Sequence, residues 1–195
     1  MFYRFIQGLL KFLCFFVYRR RVIGLENLPG GAAVVCCCHT SLFDPIYFIM
    51  GVNEPLRFMV KLELMSVPVF NWVLKGLRVI PVNRDGNDIA AVKAGFGVLK
   101  GGEKLFVFPE GTRVRPGMEI EPKTGAVLMA YRCGVPMIPA YVTEGGKKPF
   151  RRIDIVIGEP YMITCDEKRP PAGFYERETA LMMEKIFALR PNTQT

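Results

Sequence analysis

Hydrophobic and polar positions along this chain follow two periods. Ala32 to Cys38 and Leu105 to Phe108 are short unbroken apolar runs, the pattern of strands buried on both faces. Arg21 to Leu25 alternates and runs into a Pro-Gly-Gly turn, so it reads as a strand, and Arg57 to Val60, Arg78 to Val82, Val135 to Thr143 and Ile153 to Ile157 are further strand candidates. Between them fall helical stretches. These are Ser41 to Gly51, Leu62 to Lys75 with Pro68 breaking its regularity, Thr124 to Cys133 stopped by Gly134, and Tyr175 to Leu189. Another begins at a cap on Asn87 or Asp88, repeats Ile89, Val92, Phe96 and Leu99 at helical spacing, and stops at Gly101-Gly102. Strands alternating with helices predict one α/β domain with a mostly parallel, mixed sheet flanked by helices. In such sheets ligands gather where strands end at their carboxyl edge, so the residues just after each strand carry the interest.

The first residues differ from the rest. Phe2 to Tyr18 is aromatic and apolar, interrupted by Arg4, Gln7 and Lys11, and as a helix it would reach only about 26 Å, short of a ~30 Å hydrocarbon core. The three polar residues fall at i, i+3 and i+7, one stripe on an apolar cylinder, and Arg19, Arg20 and Arg21 follow. That predicts a membrane-associating interfacial helix over 1–20 ahead of the domain at 21–195; a first helix that packs on the domain is the alternative. A cleaved signal peptide fits less well, because the run ends in arginines without a small-residue cleavage site.

Composition narrows the class. Lys plus Arg number 26 against 18 Asp plus Glu, a formal charge of +8, so the long-range field attracts anions. That charge accompanies a mean hydropathy of +0.21, which suits an anionic lipid surface better than nucleic acid. None of the six cysteines forms a Cys-x-x-Cys pair, and Cys36, Cys37 and Cys38 would alternate across a buried strand, as expected of reduced thiols. Neither a metal nor a nucleotide cofactor is implied, since the acids and the one histidine lack ligand spacing.

That histidine, His39, stands directly after the apolar run 32–38. Imidazole titrates nearest neutrality and can take a proton from a hydroxyl, most effectively when a carboxylate holds its second nitrogen. Asp44 is the candidate carboxylate, although Ser41-x-x-Asp44 is equally a capping box and Asp44 equally a cap before Pro45. After the strand 105–108 comes Pro109-Glu110-Gly111-Thr112-Arg113, which is a surface turn or a set of backbone, hydroxyl and guanidinium donors for a phosphate or oxyanion. Two more strand ends carry Asn83-Arg84 and Lys61-Leu62-Glu63.

These residues together resemble the glycerolipid acyltransferases, the family of the 1-acyl-glycerol-3-phosphate acyltransferases. The likeness runs from about Arg21 to Val142 through four blocks in the family's order: His39 to Asp44, Gly76 to Arg84, Phe106 to Arg113, and Val135 to Pro139. The Phe-Pro-Glu-Gly-Thr-Arg run is the most specific of them. The resemblance implies that His39 is the general base and Asp44 its partner. It further implies that Lys61, Arg84, Glu110, Gly111, Thr112 and Arg113 shape the phosphate-bearing acceptor site, and that Val135, Pro136 and Pro139 lie on the acyl-donor side. Two positions depart from the pattern: Cys38 stands where Asn is usual and Asn83 where an acid is common.

The expected reaction moves a fatty acyl group from acyl-CoA or acyl carrier protein to the sn-2 hydroxyl of 1-acyl-glycerol-3-phosphate (lysophosphatidic acid), giving phosphatidic acid for phospholipid biosynthesis. The expected location is peripheral or monotopic on the cytoplasmic face of the cell membrane. Three rivals remain at this stage: the same chemistry on glycerol-3-phosphate or another lysolipid, a serine hydrolase built on Ser41, and a non-catalytic membrane-binding protein. The absence of a Gly-x-Ser-x-Gly elbow weighs against the hydrolase.

Overall fold

The fold is taken from a computed structural model, which describes residues 2–15, 19–83, 88–115, 117–143 and 152–191. Seven strands form one sheet: β1 (Arg19–Ile23), β2 (Ala33–Cys37), β3 (Leu56–Lys61), β4 (Ile80–Val82), β5 (Lys104–Val107), β6 (Met137–Val142) and β7 (Arg152–Ile157). Their order is β1-β7-β6-β2-β5-β3-β4, and every neighbouring pair is parallel except β6 with β7. Five strands therefore share one direction, with β1 and β7 opposed. Central β2, β5 and β6 are buried throughout because helices cover both faces, which is why their sequences are continuous apolar runs rather than alternations.

Successive side chains of β2 feed two separate cores. Val35 and Cys37 join the first, under α1 (Phe2–Phe15), α2 (Asp44–Gly51) and α3 (Pro68–Gly76). Val34, Cys36 and Cys38 join the second, under α4 (Ile89–Lys100), α5 (Gly125–Cys133) and α6 (Phe174–Ala188). The consecutive cysteines thus serve as small apolar residues on alternating faces, and burial pushes their thiols upward, Cys38 to about 12.

Two helices differ from their sequence patterns. In α1, Gln7 is buried and donates from its amide to the carbonyls of Ile49 and Val52 at 2.7 and 2.6 Å, satisfying the last turn of α2, while Lys11 bonds Asn53 at 2.8 Å. With Tyr3 and Ile6 also inward, the helix packs on the domain and turns Phe5, Leu9 and Phe12 outward at 60, 42 and 70 % exposure. Gln7 and Lys11 of the polar stripe thus dock the helix, and the outer face is the apolar one. In α4 the buried positions are Ala91, Gly95 and Leu99, with Ile89 79 % exposed. The reason is Gly95: a Cβ there would stand 2.4 Å from Met129 Sδ, so α4 approaches α5 through small residues. Among the described residues no helix is long and apolar enough to cross a membrane.

Candidate active site

The five co-directional strands bring their carboxyl ends to one edge, and β2, the central strand of the sheet, ends there at His39. His39 Nδ1 lies 3.0 Å from Asp44 Oδ2, with Asp44 only 1 % exposed. The same oxygen accepts the backbone amides of Thr40 at 2.8 Å and Ser41 at 2.7 Å. Asp44 is thus both a turn cap and the imidazole's partner, so the two sequence readings are one arrangement. A carboxylate oxygen already taking two amide donors requires a donor from the ring, so Nδ1 carries the proton and Nε2 keeps its lone pair. Asp44 Oδ1 has no hydrogen-bond partner among the described residues.

An aromatic column sets the height and tilt of the imidazole. The ring of Phe106, fully buried, packs against Phe48 and Phe58 with centroids 4.5 and 4.7 Å apart and meets Phe108 edge-on at 5.1 Å; Phe108 then stacks on His39 at 4.0 Å, 21° from coplanar. The His39 carbonyl is held separately by the Val114 amide at 2.7 Å, which ties the segment after β5 to the end of β2. Phe108 lies within a recognised motif, but nothing in its spacing announced that it would be the surface under the imidazole.

The turn after β5 is not merely a surface turn. Pro109 and Glu110 are buried, Gly111 has φ of 66°, and the Pro109 carbonyl accepts from the Lys123 amide at 2.8 Å. Only Thr112 and Arg113 are exposed at the edge. Glu110, 5 % exposed, faces the interior beside Cys38 and the His39 backbone, and burial pushes its carboxyl above the ordinary range. The nearby Glu110 and His39 amides and the Cys38 thiol partly offset that shift, yet neither carboxylate oxygen has a partner in full hydrogen-bond geometry among the described residues. Its side chain therefore lies behind the end of β2.

The remaining expected residues divide. Lys61 ends β3, exposed and paired with Glu63 at 2.8 Å, two inter-strand steps or roughly 10 Å from the β2 end. Arg84 lies outside the described residues; Asp88 accepts the amides of Asn83 at 2.7 Å and Ala91 at 2.8 Å, on either side of the segment that carries it. Val135 and Pro136 lie away from His39. They precede β6, and since Val34 pairs with Met137 they sit at the amino edge beside Ala32 and Ala33, with about 20 Å of extended chain between Ala33 and His39. Pro139 is buried within β6, opposite Cys36, and its carbonyl accepts from the Gly158 amide at 2.8 Å.

A cleft of 630 Å³ opens beside Phe108, Pro109 and Gly111 and runs between α4 and α5. Met59, Ile89, Val92, Leu128 and Met129 give it apolar walls, with Lys123 among its few charged lining residues. Its size and lining are those of a small-molecule site. The exposed Ile89 that departs from the helix pattern is one of these wall residues.

Comparison with known proteins identifies the family. Residues 19–143 match the family model described as Acyltransferase. The chain is 31% identical over 186 residues to the 1-acyl-sn-glycerol-3-phosphate acyltransferase of Pseudomonas aeruginosa, covering 90% of this chain and 72% of that one. To the enzyme of the same name from Bacillus subtilis it is 30% identical over 164 residues, 81% of each. The fold superimposes on the crystal structure of the 1-acyl-sn-glycerophosphate acyltransferase of Thermotoga maritima with a TM-score of 0.73 at 23% identity, covering 99% of this chain and 81% of that one. With residues 19–143 matching the family model and these two relatives aligned over 72% and 81% of their length, this chain belongs to the acyltransferase family.

Proposed function

We propose that this enzyme acylates the free hydroxyl of 1-acyl-glycerol-3-phosphate from a thioester donor, acyl-CoA or acyl carrier protein, to give phosphatidic acid. The observation that carries the reading is the His39–Asp44 pair stacked on Phe108, a residue that itself lines an apolar cleft. His39 Nε2 takes the proton as the acceptor oxygen attacks the thioester carbonyl, and Asp44 stabilises the imidazolium that forms. Backbone donors of the turn at 110–113 stabilise the tetrahedral oxyanion, whose collapse expels the thiolate; His39 returns the proton to it. Arg84 and Arg113 serve the acceptor phosphate, with Lys61 as a further cation at that edge, and the cleft between α4 and α5 suits a fatty chain.

Direct transfer fits better than an acyl-enzyme. The Cys38 thiol, pushed to about 12 by burial and the Glu110 charge, is a poor nucleophile. Ser41 Oγ accepts from the Phe43 amide at 3.2 Å and makes no hydrogen bond to His39. Residues 1–20 associate with the cytoplasmic face of the membrane through the exposed Phe5, Leu9 and Phe12, and 21–195 form the acyltransferase domain. Transfer of a radiolabelled acyl group from acyl-CoA to lysophosphatidic acid in detergent, wild type against His39→Ala, is the test. Product that depends on His39 supports the reading; product with glycerol-3-phosphate alone would overturn the acceptor.

A further inference from the structure

The opposite edge of the sheet holds a second cleft, of 600 Å³, remote from the base. It is lined by residues that precede strands or begin them: Arg57 at the start of β3, Arg78 before β4 and Glu103 before β5, with Lys75 at the end of α3 and Arg4 from α1. Four cations therefore face one carboxylate. Glu103 is committed, since Oε2 accepts from Arg57 Nε at 2.7 Å and Oε1 stands 3.8 Å from Arg78. Arg57, 2 % exposed, also donates to the Arg78 carbonyl at 3.4 Å, and Arg78 is the one described non-glycine residue at positive φ, 54°. The cleft is thus a built feature with a buried guanidinium at its base. Neither Arg4 nor Lys75 has an acidic partner within 4 Å among the described residues, so the cleft keeps an excess of positive charge.

Its surroundings choose between kinds of anion. Phe2 and Trp72, both exposed in part and packed edge to face at 4.9 Å, form one wall, and the outward Phe5 of α1 and Phe70 of α3 lie on the same side of the sheet. Positive charge bordered by exposed aromatic rings matches the boundary between phosphate headgroups and acyl chains. We infer that this cleft binds the phosphate headgroup of an anionic membrane phospholipid, separately from the catalytic site, and so orients the enzyme on the bilayer. Arg4 and Lys75 meet the phosphate, Arg57 and Glu103 hold Arg78 in place, and Trp72 and Phe2 enter the interface. The occupant is neither substrate nor product at the reacting centre, because the two clefts open at opposite ends of the strands.

Vesicle flotation of the full chain tests this without donor or acceptor, so its outcome is independent of the acyl-transfer reading. Vesicles of phosphatidylcholine with phosphatidylglycerol are compared with phosphatidylcholine alone. Arg4→Ala with Lys75→Ala should weaken binding to the anionic vesicles roughly 25-fold, about five-fold per cation, and leave binding to neutral vesicles within about two-fold. A charge-matched control, Lys93→Ala with Lys100→Ala on α4 at the other face, should change anionic binding less than about two-fold; thermal melts establish that both doubles fold. Equal losses in the two doubles would assign the effect to general charge and overturn the site. Full retention in the first double would overturn it as well. Binding of inorganic phosphate by the vesicle-free protein, lost in that double, would give the cleft to a soluble anion instead of a lipid.

Discussion

Asp44→Asn tests the reacting pair with the smallest change of shape. Asp44 Oδ2 receives three donors, the Thr40 and Ser41 amides and the His39 ring, within 3.0 Å. An amide oxygen in its place still accepts from the backbone but without charge, which lowers each of those bonds by about 1 kcal/mol, so roughly 2 kcal/mol of stability is lost and the protein stays folded. The effect on rate is larger. An imidazolium about 4 Å from a carboxylate gains on the order of 4 kcal/mol at an effective dielectric constant near 20, and the amide dipole restores only part. The barrier therefore rises by about 3 kcal/mol, roughly 10²-fold in kcat. If the amide nitrogen turns toward Nδ1 the proton moves to Nε2, the base is lost, and the fall approaches the ~10⁴ seen when serine-type triads are altered in this way. Thiol release from acyl-CoA, followed with lysophosphatidic acid in micelles, should show kcat reduced by 10² to 10⁴ with KM for both substrates within about two-fold. A variant that keeps more than about a tenth of kcat would mean the base acts without its carboxylate.

Further outcomes follow from neighbouring geometry. Phe108→Ala removes the ring under His39, worth about 1 kcal/mol beyond area burial, and should lower kcat several-fold with little change in KM. Gly111→Ala forces a side chain into φ of 66° and sets its Cβ 3.3 Å from Lys123 Cε; denaturant melts should show a loss of about 1–2 kcal/mol. For Glu110, whose carboxyl is raised in the folded chain, the unfolded state ionises first as pH rises. Folding stability therefore falls from the ordinary glutamate range up to the raised value and is level above it. Glu110→Gln removes that slope, so Tm measured against pH should show the variant gaining on wild type through this window; parallel curves would refute the assignment.

What the sequence disclosed, and what it withheld, has a physical pattern. Strands buried on both faces were legible because every position had to be apolar, as in Val34 to Cys37 and Leu105 to Val107. Helix ends were legible where one residue does the stopping, as Gly134 does at φ of 61°. Helix faces were less so: α4 turns Ala91 and Gly95 inward because Met129 occupies the space a side chain would need. In α1, Gln7 is buried because the carbonyls of Ile49 and Val52 need a donor. Neither fact is local to its helix. Strand pairing was equally hidden, since β1 joins β7 across more than half the chain.

Val135 and Pro136 stand apart from His39 for the same reason that gathers the other expected residues at one edge. A motif's order along the chain does not say at which end of a strand its residues fall. In a set of parallel strands that is decided by whether a residue follows its strand or precedes it. His39, Lys61, Asn83 and the turn from Pro109 follow β2, β3, β4 and β5, so they converge on one edge however far apart they lie in sequence. Val135 and Pro136 precede β6 and are carried to the other edge. Arg78 and Glu103 precede β4 and β5 and arrive there by the same rule, where Arg57, at the start of β3, meets them. One topology therefore builds two clefts at opposite ends of the strands, an apolar one beside Phe108 and a cationic one around Arg57, at the end away from His39.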